Sequence, residues 1–217
     1  MNRAELVAAV ESAIGTLSGV YRGGADESDL YEAALLTVAL NATRLASGVH
    51  MLTNDGVTPA SQVTFRRGPG NLWSPGFTFA LVTFPVTVKR LEIHLGVKVA
   101  GASGVAHECD VAIIDADECD RSRAGSVHPR RSRVVAALEA KHYQVSPGLG
   151  IGRGFLGLGT ELGASRCSLV FPAQVSPNLE TLIARKDPEC FPEVEPGSSA
   201  ADRLCRHIEQ QVRNWLP

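Results

Sequence analysis

No run of about eighteen apolar residues occurs in the 217-residue chain, which excludes a membrane-spanning helix. Close-spaced cysteine pairs are also missing. Cys109, Cys119, Cys167, Cys190 and Cys205 are an odd, scattered set that suits free thiols in a reducing cytoplasm. Neither charge sign dominates: 21 basic residues face 23 acidic ones, a net of -2. That excludes attachment to nucleic acid by bulk charge but leaves room for a local basic groove. Aromatics make up only 6%, and Trp73, Trp215, Tyr31 and Tyr143 are too dispersed for a base-stacking platform. No internal repeat and no linker-like boundary is visible. What is present is globular: 44% hydrophobic and 20% charged residues, in a chain long enough to bury one core. A single domain over 1–217 is expected.

Periodicity divides the chain into three parts. Residues 2–17 place Leu6, Val7, Val10, Ile14 and Leu17 on one helical face. Glu5 and Glu11 interrupt that stretch, which reads as an amphipathic helix and not a secretion signal. Glycines and acids make 18–28 a loop. A second helix is expected over 29–45, opened by an Asp29/Glu32 capping box and ended by Gly48. Its body is apolar on most sides, as in a buried helix. The period then changes to two, with strands expected over 63–66, 77–82, 91–99 and 109–114. Residues 134–140 are a short apolar run, as in a strand buried on both faces. A charged loop separates the last two strands. The final third predicts a helix over 147–163 despite seven glycines, each costing about 1 kcal/mol. A strand over 168–171, a helix from Ser176-Pro177 to Arg185, a loop over 188–199 and an amphipathic helix over 200–215 follow. The order implies a mixed α/β domain with helices on both faces of a sheet.

The chemistry concentrates in two strands. Glu139 and Lys141 are two residues apart and so project together from the end of a buried strand. Asp110 opens the apolar run of a neighbouring strand and can reach the same point. Two carboxylates bind a hard cation such as Mg²⁺ or Mn²⁺. A lysine beside them can orient a water and offset charge on a phosphorane-like transition state. A structural ion pair between Glu139 and Lys141 is the competing reading.

Asp110, Glu139-Ala-Lys141 and the buried-helix Glu32 together resemble the PD-(D/E)xK nuclease superfamily. The resemblance covers roughly 29–185 and is one of pattern and order, with Cys109 where many members have proline. It implies a restriction-endonuclease-like αβββαβ core, a mixed central sheet flanked by helices, and metal-dependent hydrolysis of phosphodiesters, DNA in preference to RNA. It implies Asp110, Glu139 and the Ala140 carbonyl as metal ligands, Lys141 at the attacking water, Glu32 as an auxiliary acid and Gln144 in a supporting role. Regular alternation makes Glu108 a further auxiliary. Asp115, Asp117 and Glu118 stay open as alternatives to Asp110. Bacterial defence or DNA repair is the implied setting.

Arg121, Arg123, Arg130, Arg131 and Arg133 crowd thirteen residues between the two strands, a set suited to phosphates or to a solvated loop. A domain this small needs a homodimer or a partner protein to supply specificity. Other patterns are weaker. Gly152-Arg-Gly154-Phe-Leu-Gly157 fits the dinucleotide fingerprint but lacks a strand leading into it. Close helix packing is the preferred reading, with Arg153 facing the site or nucleic acid. His107, Cys109, Cys119 and His128 lack zinc-site spacing, and nothing favours Cys109 with His142 as a nucleophile pair. The rival to the enzyme is a catalytically silent nuclease-fold module that binds nucleic acid or a protein.

Overall fold

Local capping chemistry starts the helices of the N-terminal third. The computed structural model describes residues 1–184 and 188–217. Asn2 and Glu5 form a capping box on α1 (Arg3–Ile14), with reciprocal bonds of 3.1 and 2.9 Å. Part of the expected 18–28 loop is a short helix, α2 (Gly19–Gly24), capped by Ser18. Helix α3 (Glu27–Leu45) starts earlier than its pattern suggested. Its capping box is Asp26/Asp29, with bonds of 2.9 and 3.0 Å, not Asp29/Glu32. Glu32 is thereby released from capping. Eleven residues of α3 are buried, in accord with its nearly all-apolar body.

Among the described residues the strands form one seven-stranded sheet in chain order: β1 (Val49–Thr53), β2 (Phe79–Thr83), β3 (Arg90–Ala100), β4 (Ala106–Asp115), β5 (Val134–Ala140), β6 (Cys167–Val170) and β7 (Glu189–Phe191). Pairing is antiparallel through β5 and parallel from β5 to β7. The parallel crossovers carry α5 (Leu149–Leu162) and α6 (Pro177–Ile183). One apolar layer joins α1, α3 and the last helix, α7 (Ser199–Trp215), to the sheet. The other joins α5, α6 and α4 (Ala116–Gly125). The architecture is therefore mixed α/β, with helices on both faces of the sheet. None of the described helices is long and apolar enough to cross a membrane.

Several expected elements are corrected. Residues 63–66 are not a strand but make a single bridge, Leu17 to Val63. Arg66 there turns inward, 6% exposed, and donates to the Asn71 carbonyl. The strand expected from Phe77 begins at Phe79. The charged loop after β4 is largely α4: Asp115 caps it and Asp120–Arg123 and Glu118–Arg121 pairs one turn apart brace it. The 188–199 loop contains the edge strand β7. Helix α6 ends at Ile183, and Arg185 lies outside the described residues.

The β3–β4 hairpin inverts midway. Its register runs from Leu91–Asp115 to Leu95–Val111 and resumes at Val97–Cys109, without a pair at Gly96 and Asp110. Leu91, Ile93 and Leu95 lie in the α3 layer, but Val97 and Val99 lie in the α5 layer. Val111 and Cys109 divide in the same way. Gly96 makes this possible with φ +55°, and a Cβ there would sit 2.8 Å from the Gly68 carbonyl oxygen. The Gly96 carbonyl and Lys98 N–H bond instead to Gly70 at 2.8 and 2.9 Å. Asp110 therefore occupies the irregular step of an otherwise continuous hairpin.

Candidate metal and phosphodiester site

Strand β4 supplies Glu108 and Asp110, the end of β5 supplies Glu139, Ala140 and Lys141, and α3 supplies Glu32. The Ala140 N–H donates to Asp110 Oδ2 at 2.7 Å, which ties the two strands at the site. The Lys141 N–H donates to the Val170 carbonyl at 2.9 Å, which holds the chain as it leaves β5. Lys141 Nζ lies 2.7 Å from Glu139 Oε1, 3.0 Å from the Ala140 carbonyl oxygen and 3.8 Å from Asp110 Oδ2. A cation thus sits where the three expected metal ligands converge.

The cluster is short of positive charge. Burial, then the Glu139 charge, pushes the Asp110 carboxyl up to about 7, against Lys141 and the Ala140 N–H. Burial, then Asp110, Asp29 and Glu108, pushes Glu32 up to about 9. Glu108 is raised by burial and by Glu139. Burial opposes the Lys141 charge, but Asp110 and Glu139 outweigh it and raise the lysine. Four carboxyl groups share Lys141, with Lys98 acting on Glu108 alone, so acids outnumber cations and the site favours added cationic charge. Its donors are carboxylate and carbonyl oxygens, which suit Mg²⁺ or Mn²⁺ better than a thiophilic ion.

The other expected residues go elsewhere. Asp115 caps α4, Asp117 pairs with Arg90, and Glu118 binds Arg121 and Arg130, so none of these three joins Asp110. Arg123 pairs with Glu92 and Arg133 with Asp115. Four of the five arginines are therefore held by acids. The fifth, Arg131, is exposed and accepts a bond from Arg166 on its carbonyl. Gln144 is exposed in the turn beyond β5. The glycine fingerprint lies inside α5 and not at a strand-to-helix turn, which removes the dinucleotide reading. Arg153 is exposed on that helix. His107 approaches Glu161, His128 packs on Trp73, and Cys109 is buried in the α5 layer, so the zinc set is not assembled. His142 stacks with Tyr31 and is not paired with Cys109.

Sequence reasoning missed two features. Glu92 and His94 of β3 and Cys119 of α4 gather with ligand atoms within 4.8 Å of one another. His94 Nε2 meets Glu92 Oε2 at 2.7 Å, and the Arg123 guanidinium spans both Glu92 oxygens. That carboxylate is already satisfied. The second is a cleft of about 670 Å³ beside Glu108 and Glu139, walled by α5 and by His107 of the hairpin. Gly154 and Gly157, three apart on α5, were its only sequence signal. No family model matches the chain, and no curated protein or solved structure matches it significantly.

Proposed function

We propose that this chain is a metal-dependent nuclease of the PD-(D/E)xK type that hydrolyses phosphodiester bonds, in DNA before RNA. The observation that carries the reading is the Lys141 ammonium seated among oxygens of Glu139, Ala140 and Asp110. With β1, β2 and α4 taken as additions, the order α3, β3–β4–β5, α5, β6 is compatible with an αβββαβ core, which supports this reading. In this scheme Asp110, Glu139 and the Ala140 carbonyl hold Mg²⁺ or Mn²⁺. The ion supplies Lewis-acid activation of the scissile phosphate when bound. Lys141 swings from the carboxylates to hold the attacking water and to offset charge on the pentacovalent phosphorus. Glu108 and Glu32 stand beside this set as auxiliary acids.

One observation favours the silent-module reading: Arg121, Arg123, Arg130 and Arg133 are engaged by acids, which leaves few cations for a phosphate backbone. A second subunit or a partner protein would have to supply them. The test is cleavage of plasmid, single-stranded DNA and RNA with Mg²⁺ or Mn²⁺, by wild type and by Lys141→Ala. Metal-dependent cutting that disappears in the variant supports the nuclease. Cutting that survives in the variant removes Lys141 from the mechanism, and binding without cutting supports the module.

A further inference from the structure

We infer that Arg67 and Lys98 hold the nucleic-acid phosphates next to the scissile one, on the side of the site formed by the Arg66–Gly70 loop and strand β3. The inference rests on the nuclease reading of Asp110, Glu139 and Lys141 and names backbone contacts which that reading needs. A metal centre grips the reacting phosphate, but the register of the nucleic acid comes from contacts to the neighbouring phosphates. Four of the five arginines between β4 and β5 are engaged by acids, so these contacts have to come from another part of the chain.

The hairpin places Lys98. It is the cross-strand partner of Glu108, which lies two residues from Asp110. Opposite partners in an antiparallel pair share a face, and opposite charges there attract. Yet Lys98 forms no ion pair with Glu108 or with any other acid among the described residues. Its charge still reaches Glu108 and opposes the rise of that carboxyl. Lys98 is therefore a half-buried cation beside the site whose charge no single acid neutralises.

The loop places Arg67. Pairing of β2 with β3 stops at Ile93, and further along β3 the vacated edge is taken by Gly70. The Gly70 N–H donates to the Gly96 carbonyl at 2.8 Å, and the Gly70 carbonyl accepts from the Lys98 N–H at 2.9 Å. The two proposed phosphate contacts are thus tied through one backbone bond. Adjacent arginines then face opposite ways. Arg66 is buried, donates to the Asn71 carbonyl at 2.9 Å, and packs so closely that a Cβ on Gly70 would lie 2.7 Å from its Cδ. Arg67 is exposed. One of its N–H groups donates to the Gly24 carbonyl at the end of α2, which holds it toward the start of α3. There its charge acts on Asp29, one turn before Glu32. No acid among the described residues pairs with Arg67, and its remaining donors keep the fork geometry that matches phosphate oxygens.

The experiment measures binding of a labelled oligonucleotide to the full chain by fluorescence anisotropy in Ca²⁺ across a KCl series, and cleavage in Mn²⁺. Wild type is compared with Arg67→Ala, Lys98→Ala, the double variant, the charge-keeping Arg67→Lys and the control Arg44→Ala. Arg44 is exposed, bonds to Asn41, and lies about 18 Å along α3 from Glu32. Each lost contact should reduce the slope of log affinity against log salt by about 1 and weaken binding on the order of fivefold, equally for oligonucleotides of different sequence. The double variant loses about 2 in slope and raises KM with kcat kept. Arg67→Lys keeps the slope, and Arg44→Ala changes neither slope nor cleavage. A slope unmoved in the double variant, whether or not its Tm falls, overturns the inference and leaves the nuclease standing if wild type cuts. A slope that falls as expected in a protein that binds without cutting supports the phosphate contacts and overturns the nuclease. Wild type that neither binds nor cuts overturns both.

Discussion

Glu92 and Asp110 are carboxylates on adjacent strands, 3% and 8% exposed, yet their protons are held in opposite ways. Burial alone would raise Glu92, but hydrogen bonds and charge from His94 and Arg123 outweigh it and bring the carboxyl down to about 2. Asp110 is raised to about 7 by burial first and then by the Glu139 charge, which Lys141 and the Ala140 N–H do not outweigh. Glu118 follows Glu92, held at about 2 by Arg121 and Arg130 against its own desolvation. The difference is one of partner count. Where each acid has its own cation, the charge is neutralised and the group is structural. Where acids outnumber cations, the fold maintains a deficit that a bound metal would relieve.

The comparison breaks most visibly at Arg123. Arg123→Ala leaves Glu92 buried without its cation and should cost about 3–5 kcal/mol, read by urea denaturation at neutral pH. A loss under about 1 kcal/mol would mean that Glu92 is not held as a charge. Lys141→Ala should lower metal-dependent cleavage by about 10²–10³-fold. Its loss of stability should be smaller than that of Arg123→Ala, because Asp110 and Glu32 can take up protons in place of the missing ammonium.

The pH dependence should separate the clusters by sign. Glu32 is raised from 4.5 to about 9, so its contribution to stability is complete below pH 4.5 and is lost as pH rises toward 9. Glu92 is lowered from 4.5 to about 2, so its contribution is present above pH 4.5 and is lost as pH falls toward 2. Urea midpoints measured from acid to alkaline pH should therefore lose part of their alkaline slope in Glu32→Gln and part of their acid slope in Glu92→Gln. Identical profiles for both variants would remove the distinction. The smallest effect belongs to α5. Gly157→Ala should raise stability by about 1 kcal/mol through helix propensity. Gly152→Ala should lose that gain to the 2.6 Å approach of its Cβ to Leu179.

Much of the sheet was legible. The apolar run 134–140 is β5 to the residue, and the alternation over 91–99 lies within β3. The first rests on a short apolar run and the second on period-two alternation, and both signals are local. Helix α4 was not legible, because half of its ten residues are charged and the rest are too small to make an apolar stripe. Edge strands β1 and β7 were missed because each is short and half-exposed, with little alternation to detect. The Asp29/Glu32 capping pattern misled because Asp26 and Asp29 offer the same chemistry three residues earlier.

The sequence by itself determined that Glu139 and Lys141 leave a buried strand on one side, since side chains two apart share a face. It also determined that α3 is buried and that α5 tolerates many glycines. Only the tertiary structure decided that Asp110 meets them, through a bond from Ala140 thirty residues away, at a step where Gly96 turns the hairpin over. Only the tertiary structure decided that Arg123 belongs to Glu92, thirty-one residues distant, and not to a phosphate-binding groove. Periodicity records how a segment presents itself to a core. Strand register and the pairing of buried charges depend on which distant segments arrive at the same place, and no local pattern encodes that.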